Sequence, residues 1–163
     1  MTKALRGKIT LMTLIIEDGS GRADANCYTD LAVADGYHAL RGRADWAAAS
    51  VEAREAALIK ATDCLDADHA FRGHPETQGQ ALAWPRCCAE DDSGRVISGV
   101  PDAVRRACAE LAWRALTEDL LPDEARGGRV TSESLGPIST TYANDAPTGT
   151  VRRMVDGLLR GVV

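Results

Sequence analysis

Aromatic residues and lysines are scarce in this 163-residue sequence. It has one Phe, three Trp and three Tyr, so the apolar core has to consist mainly of Leu, Val, Ile and abundant Ala, a composition that favours closely packed helices. The only lysines are Lys3, Lys8 and Lys60, and the formal net charge is −5 at pH 7. Nucleic-acid-binding domains usually have a basic balance or a basic stripe, because Lys and Arg neutralise phosphates. The sequence has neither.

Disulfide and membrane signals are also missing. The five cysteines are an odd number without a C-x-x-C pair or a preceding signal peptide, a pattern that argues against a disulfide framework and a zinc site. Cys64 and Cys108 fall on apolar helix faces, where we expect them to be buried. The apolar run from Leu11 to Ile16 is far shorter than the ~20 residues of a membrane span. We therefore expect no membrane association and a cytoplasmic location before any assembly.

No catalytic constellation is visible in the sequence. His38, His69 and His74 lack metal-ligand spacing, and there is no G-x-S-x-G motif and no glycine loop suited to a phosphate. We interpret the acidic clusters at 63–68 and 90–92 as solvated charge. The sequence predicts no catalytic, cofactor-binding or metal-binding residue and no cofactor, which is typical of an interaction module and not of an enzyme.

Apolar periodicity predicts three longer helices. The first spans about Asp30 to Leu40 after an N-cap at Thr29, with Leu31, Ala34, Tyr37 and Leu40 on its apolar face. The second spans about Val51 to His69 after an N-cap at Ser50, and the third about Asp102 to Leu120, ended by Pro122. On the third helix we interpret Arg106 and Glu110 as an i,i+4 pair on a solvated face.

The spacing of apolar residues changes in the C-terminal third of the chain. Alternation over about 129–143, split by Gly136-Pro137, predicts a β-hairpin, and residues 149–163 predict an amphipathic helix. The fold class is therefore mainly α: a small helical bundle with an inserted hairpin and a C-terminal amphipathic helix. We divide the chain into a flexible extension (1–11, with Met12 as an alternative start), a helical domain (12–148) and a C-terminal docking helix (149–163).

The irregular segment 71–100 contains Trp84, for which two interpretations stay open. A short helical turn over Gln80 to Trp84, closed by Pro85, would let Trp84 anchor the loop on the helices. Alternatively, Trp84 and Arg86 could lie at a subunit interface, where these residue types are favoured.

Several strings, in this order, resemble tailed-phage head-to-tail adaptor (head-completion) proteins over residues 12–163. The most specific is Gln80-Ala81-Leu82-Ala83-Trp84-Pro85-Arg86. The others are Ile16-Glu17-Asp18-Gly19, Tyr37-His38 with Arg41-Gly42, Ala57-Leu58-Ile59-Lys60-Ala61-Thr62-Asp63, Phe71-Arg72-Gly73, Val100-Pro101 and Ser132-Glu133-Ser134-Leu135-Gly136-Pro137-Ile138-Ser139-Thr140-Thr141-Tyr142. The extension and Cys87-Cys88 fall outside this resemblance.

The resemblance implies a structural virion protein in the neck below the portal. It would form a homo-oligomeric ring, commonly of twelve subunits, contact the portal and a stopper or tail-completion protein, and conduct double-stranded DNA without sequence-specific binding. Such proteins are often labelled DnaT-like single-stranded-DNA-binding proteins, so a replication accessory function is the alternative; a non-viral scaffold or regulatory protein is a third possibility. The candidate portal-binding residues are Val151, Met154, Val155, Leu158 and Leu159. The candidate subunit-interface or loop-anchor residues are Trp84, Arg86, Ile138 and Tyr142.

Overall fold

The computed structural model describes residues 14–121, 132–135, 138–141 and 152–163. These residues form helices and two small antiparallel sheets, so the fold is mainly helical with a hairpin before the last helix, as the sequence predicted. In chain order the elements are α1 (Leu31–Ala39), α2 (Ala44–Ala48), α3 (Val51–Asp68), β1 (His74–Pro75), β2 (Arg86–Cys87), α4 (Asp102–Ala115), β3 (Ser132–Leu135), β4 (Ile138–Thr141) and α5 (Arg153–Leu159).

The pair α3 and α4 forms the centre of the core. The Ser50 hydroxyl caps α3 by accepting from the Ala53 amide at 3.2 Å, as the sequence predicted. The facing sides are rich in alanine and cysteine, whose small side chains let the two helices lie close together. The buried residues of this contact include Ala57, Leu58, Ala61, Cys64 and Leu65 on α3 and Val104, Ala107, Cys108, Leu111 and Ala112 on α4.

Helix ends differ from the predicted ones in two places. The N-cap of α1 is Asp30, whose carboxylate accepts from the Val33 amide at 2.7 Å, whereas Thr29 is buried. Helix α4 stops at Ala115 instead of Leu120 and continues as a turn. The predicted helical turn over 80–84 is wrong. The side-chain amide of Gln80 donates through Nε2 to the carbonyls of Leu82 and Pro85, at 2.7 and 3.0 Å, and holds the segment in a bent loop.

The hairpin and the last helix follow the predicted order. Strands β3 and β4 pair in the register Ser132↔Thr141 to Leu135↔Ile138, so Ile138 begins β4 opposite Leu135. Helix α5 packs on α4 and buries Val155 and Leu159. Tyr142, Val151 and the predicted extension 1–11 lie outside the described residues. No helix in the described ranges is long and apolar enough to cross a membrane.

Candidate interaction surface

A buried carboxylate on α4 holds the segment that joins α1 to α2. Glu110 is 2% exposed; its Oε1 accepts from Arg43 at 2.8 Å and its Oε2 from the Tyr37 hydroxyl at 3.2 Å. The predicted solvated Arg106–Glu110 pair is therefore wrong, and Arg106 lies 3.9 Å from Asp102 instead. Burial raises the pKa of Glu110, but the hydrogen bond and charge of Arg43 outweigh it and leave that pKa below its ordinary value.

His38 and Trp46 complete the contact of α1 with α2. The two rings lie 4.4 Å apart, and both side chains are buried. Trp46 Nε1 donates to Asp35 at 2.8 Å, and Arg54 of α3 donates to the same oxygen at 2.7 Å. Burial and the nearby Arg43 charge lower the pKa of His38 to about 4. The inward side of α1 is therefore fixed by polar as well as apolar contacts.

The opposite side of α1 carries exposed residues without charge. Leu40 is 88% exposed and Val33 52%, although the sequence placed Leu40 on the apolar inward face. The chain turns away immediately after α1, at Gly42 with φ +64°, so Leu40 has no helix to pack on. We call this surface the α1 outer face; it consists of Ala32, Val33, Gly36, Ala39 and Leu40. Because exposed apolar surface can mark a site of protein contact, the α1 outer face is a candidate interaction surface.

Trp84 is buried inside its own chain, beside Phe71 and Tyr28. It is fully buried, its ring lies 5.8 Å from that of Phe71, and its amide donates to the Tyr28 hydroxyl at 3.2 Å. The peptide bond between Trp84 and Pro85 is cis. Because Trp84 has no exposed surface, this conformation cannot offer it to a neighbouring subunit.

Arg86 ties the same loop together. Its guanidinium donates to the carbonyls of Arg72 at 2.7 Å, Gly73 at 2.8 Å and Ala83 at 3.1 Å. Gly73 has φ +74°, and a Cβ there would lie 2.4 Å from the Cys87 carbonyl, so this position requires glycine. Arg86 thus acts within the chain as a loop anchor.

Of the predicted docking residues on the C-terminal helix, some lie in the core and others on the surface. Val155 and Leu159 are buried, Leu158 is half-buried, and Met154 is 43% exposed. In this conformation Val155 and Leu159 are unavailable to a portal because they pack in the core of their own chain. Portal binding through the remaining surface of α5 stays a prediction.

A family model described as DnaT-like ssDNA binding protein matches residues 12–163. The chain belongs to this DnaT-like family. No curated protein and no solved structure is detectably similar to it.

Most of the described aromatic rings of this DnaT-like chain lie in its core. Tyr28, Trp46 and Trp84 are at most 1% exposed, and the half-buried Trp113 has the Arg43 guanidinium 4.0 Å above its ring. Single-strand binders stack bases on open aromatic faces. Among the described residues, no fully exposed aromatic ring offers such a platform.

Asp66 is not the solvated charge that the sequence predicted. It accepts from the Tyr28 hydroxyl at 2.5 Å and from the Ala83 amide at 2.9 Å, and burial raises its pKa. These contacts link α3 to the loop over residues 80–86, which we call the Trp84 loop. The role of Asp66 in this DnaT-like chain is therefore structural. Within the described ranges, no group of three or more His, Cys, Asp or Glu is placed to hold a metal ion.

Proposed function

We propose that this chain is a structural adaptor of the phage head-to-tail type and not an enzyme. It would act in the virion neck as a ring subunit between the portal and a stopper or tail-completion protein, after a cytoplasmic stage before assembly. The observation that carries this proposal is the exposed, uncharged α1 outer face, with Leu40 88% exposed. Such a face suits protein docking and has no cation to hold a phosphate.

The adaptor-like sequence strings support the same proposal. The most specific of them, residues 80–86, builds a fixed loop: Gln80, Trp84 and Arg86 each contribute a buried ring or hydrogen bonds to it. The resemblance therefore covers residues that hold the loop in its shape.

Single-stranded DNA binding is the second candidate, and the family description supports it more directly than it supports the adaptor. A possible contact surface is present at α5, where Arg153, its first residue, and Arg160, its C-cap, are both exposed. They lie seven residues apart and so share one side of the helix. Neither makes an ion pair with a described residue. Two arginines form a small site, but they could follow a phosphate backbone.

One experiment separates the two functions. The purified chain, alone and mixed with its portal, is analysed by light scattering and negative-stain microscopy, and labelled single-stranded DNA is titrated in parallel at several salt concentrations. The adaptor function predicts rings, or rings formed only on the portal, with weak DNA binding. A chain that ignores the portal and binds single strands with a steep salt dependence would establish the DNA-binding function instead.

Arg153→Glu/Arg160→Glu serves as the matched variant in both assays. It should leave portal assembly intact and remove any single-strand binding, because it reverses the two exposed charges without touching the buried residues of α5. Loss of portal assembly with retained folding would move the portal contact to α5.

A further inference from the structure

Two cysteines that are far apart in the sequence lie together in the core. Cys27 is in the segment before α1 and Cys108 is in α4, and both are fully buried. All five cysteines are free thiols in the structure. We propose that Cys27 and Cys108 form an oxidation site, at which hydrogen peroxide joins the two sulfurs in a disulfide that ties the segment before α1 to α4.

A hydroxyl and a carbonyl of α3 hold the two sulfurs in one small site. Thr62 Oγ1 lies 3.6 Å from Cys27 Sγ and 3.4 Å from Cys108 Sγ. The Leu58 carbonyl oxygen lies 3.7 Å from each sulfur. These two oxygens are themselves 3.1 Å apart, so the sulfurs that contact both of them are neighbours, and the two thiols hydrogen-bond to each other.

The sulfurs have to move closer to reach the disulfide bond length of about 2.0 Å, and Cys27 is the residue that can move. Cys108 lies in the middle of α4, which packs along α3. Cys27 belongs to no helix, and its strand contact is an isolated bridge to Ile16. Local opening at this bridge would also admit a small oxidant that the closed core excludes.

The two thiols have different roles in the reaction. The hydrogen bond with Cys108 lowers the pKa of Cys27 although burial opposes it, whereas the same contact and burial raise the pKa of Cys108. Because the thiolate is the reactive form of cysteine, Cys27 attacks first. Its sulfur takes one oxygen of the peroxide, the O–O bond breaks, and the departing hydroxide is protonated to water. Cys27 is then a sulfenic acid.

Cys108 completes the oxidation. Its sulfur attacks the Cys27 sulfur, the S–O bond breaks, and the hydroxide leaves as a second water with the proton of the Cys108 thiol. Two thiols and one hydrogen peroxide thus give one disulfide and two waters; the sulfurs are oxidised and the peroxide is reduced. Reducing conditions keep the thiols open, and oxidising conditions add a covalent bond inside the core.

This site is independent of the adaptor and DNA-binding functions, since it lies in the core and not on a binding surface. Cys64 offers an internal standard for it. The Cys64 thiol is also buried, but its partner is the Asp68 carboxylate at 3.5 Å, and burial raises its pKa to about 11. We therefore expect Cys64 to stay a free thiol when the other two are oxidised.

Peroxide treatment of the folded full chain tests the site. Cys87→Ser/Cys88→Ser removes the two thiols outside the core, so that Cys27, Cys64 and Cys108 remain. Dilute hydrogen peroxide should lower the free-thiol count, measured after unfolding, from three to one. A digest without reductant should join the peptides of Cys27 and Cys108. Three free thiols, a link that includes Cys64, or added oxygen without a cross-link would overturn the proposal.

Two further variants in the same background test the order of attack. With Cys108→Ala, the sulfenic acid should persist on Cys27 and react with dimedone, a reagent for sulfenic acids. With Cys27→Ala, Cys108 should stay unlabelled. Circular dichroism verifies that both variants are folded. Equal labelling of the two would contradict the assignment of Cys27 as the attacking thiol.

Thermal unfolding tests whether the disulfide fits the native fold. A bond between residues 27 and 108 closes a long loop in the unfolded chain, so the oxidised protein should unfold about 5 °C or more above the reduced protein. The same treatment of Cys27→Ala, which cannot form the bond, should leave its unfolding temperature unchanged. An oxidised chain that unfolds at the same or a lower temperature would show that the bond distorts the core and would rule out a native clip.

Discussion

Glu110 connects α4 to Tyr37 of α1 and to Arg43, which precedes α2, through hydrogen bonds. Glu110→Gln removes the charge that Arg43 meets at 2.8 Å and leaves that guanidinium, with only 17% of its side chain exposed, without its carboxylate. We expect a loss of about 3 kcal/mol in the free energy of unfolding, the range found for broken buried pairs. Urea unfolding followed by circular dichroism measures it.

Glu118→Gln is the control, because Glu118 is exposed just beyond the same helix and should change stability by less than about 0.5 kcal/mol. Equal effects of the two substitutions would mean that the Arg43 contact adds nothing to stability. Arg43→Met/Glu110→Gln completes a double-mutant cycle, in which coupling above about 0.5 kcal/mol identifies a direct interaction.

His38 makes the folded chain sensitive to acid. Its pKa is lowered to about 4 in the fold against an ordinary value near 6.5, so below pH 6.5 the unfolded chain binds a proton that the folded chain does not. Stability should fall as the pH drops from 6.5 to 4, with a slope of at most about 1.4 kcal/mol per pH unit from this group. Urea unfolding at half-unit pH steps measures the slope.

His38→Asn should flatten the stability curve between pH 6.5 and 4 even if it lowers stability overall, because the slope counts protons and not contacts. Lys60, which is exposed, offers the neutral control Lys60→Gln. An unchanged slope in His38→Asn would show that other groups cause the acid sensitivity.

The role of Glu110 could not be predicted from sequence for a physical reason. Local spacing offered Arg106 as its partner at i,i+4, whereas the i,i+4 residue that lies near Glu110 is Arg114, at 3.8 Å. The partner that donates a hydrogen bond, Arg43, is 67 residues away and reaches Glu110 only once α1 and α2 are folded. Helical periodicity predicts which residues share a face, but it does not show which tertiary element covers that face.

The longest helices were predictable from their apolar period, whereas the short helix α2 was not. Helices α3 and α4 have enough turns for their apolar period, with Ser50 and Pro101 marking their starts, and both were predicted within a few residues except at the C-terminus of α4. Helix α2 has five residues, fewer than two turns, and so has no readable period. The Trp84 loop was placed correctly by its Pro and Gly content, but its bent shape depends on side-chain bonds from Gln80, Asp66 and Arg86.

Substitutions in α5 test whether this predicted docking helix also contributes to the core of its own chain. Leu159→Ala should lower the free energy of unfolding by about 3 kcal/mol, because Leu159 is fully buried and the change leaves a cavity. Met154→Ala, on the exposed side of the same helix, should cost less than about 0.5 kcal/mol. Thermal and urea unfolding of the two variants provide the comparison.

Removal of residues 149–163 follows from the same packing. It should destabilise the domain strongly, since Val155, Leu159 and Val162 all leave the core. A truncated chain as stable as the full one would show instead that α5 is dispensable for folding and free to dock elsewhere. Portal assays should therefore use Met154 and Leu158 variants in place of the truncation.

At the scale of the whole molecule, the net charge of −5 affects the affinity of the chain for DNA. Under the proposed adaptor function, packaged double-stranded DNA would slide through the ring, and strong phosphate contacts would hold it. Most arginines in the described part of the chain are engaged with carboxylates or carbonyls, which would lower that retention, because affinity for DNA rises with the number of phosphates neutralised.

We expect the full chain to bind double-stranded DNA more weakly than about 100 µM at 0.15 M salt, below the usual range of non-specific binding. Fluorescence anisotropy with a labelled duplex measures this, and any binding that emerges at 0.05 M salt should disappear in Arg153→Glu/Arg160→Glu, which removes the two unpaired arginines of α5. Tight, steeply salt-dependent duplex binding that survives this variant would contradict a passive conduit, because a second set of cations would then have to face the DNA.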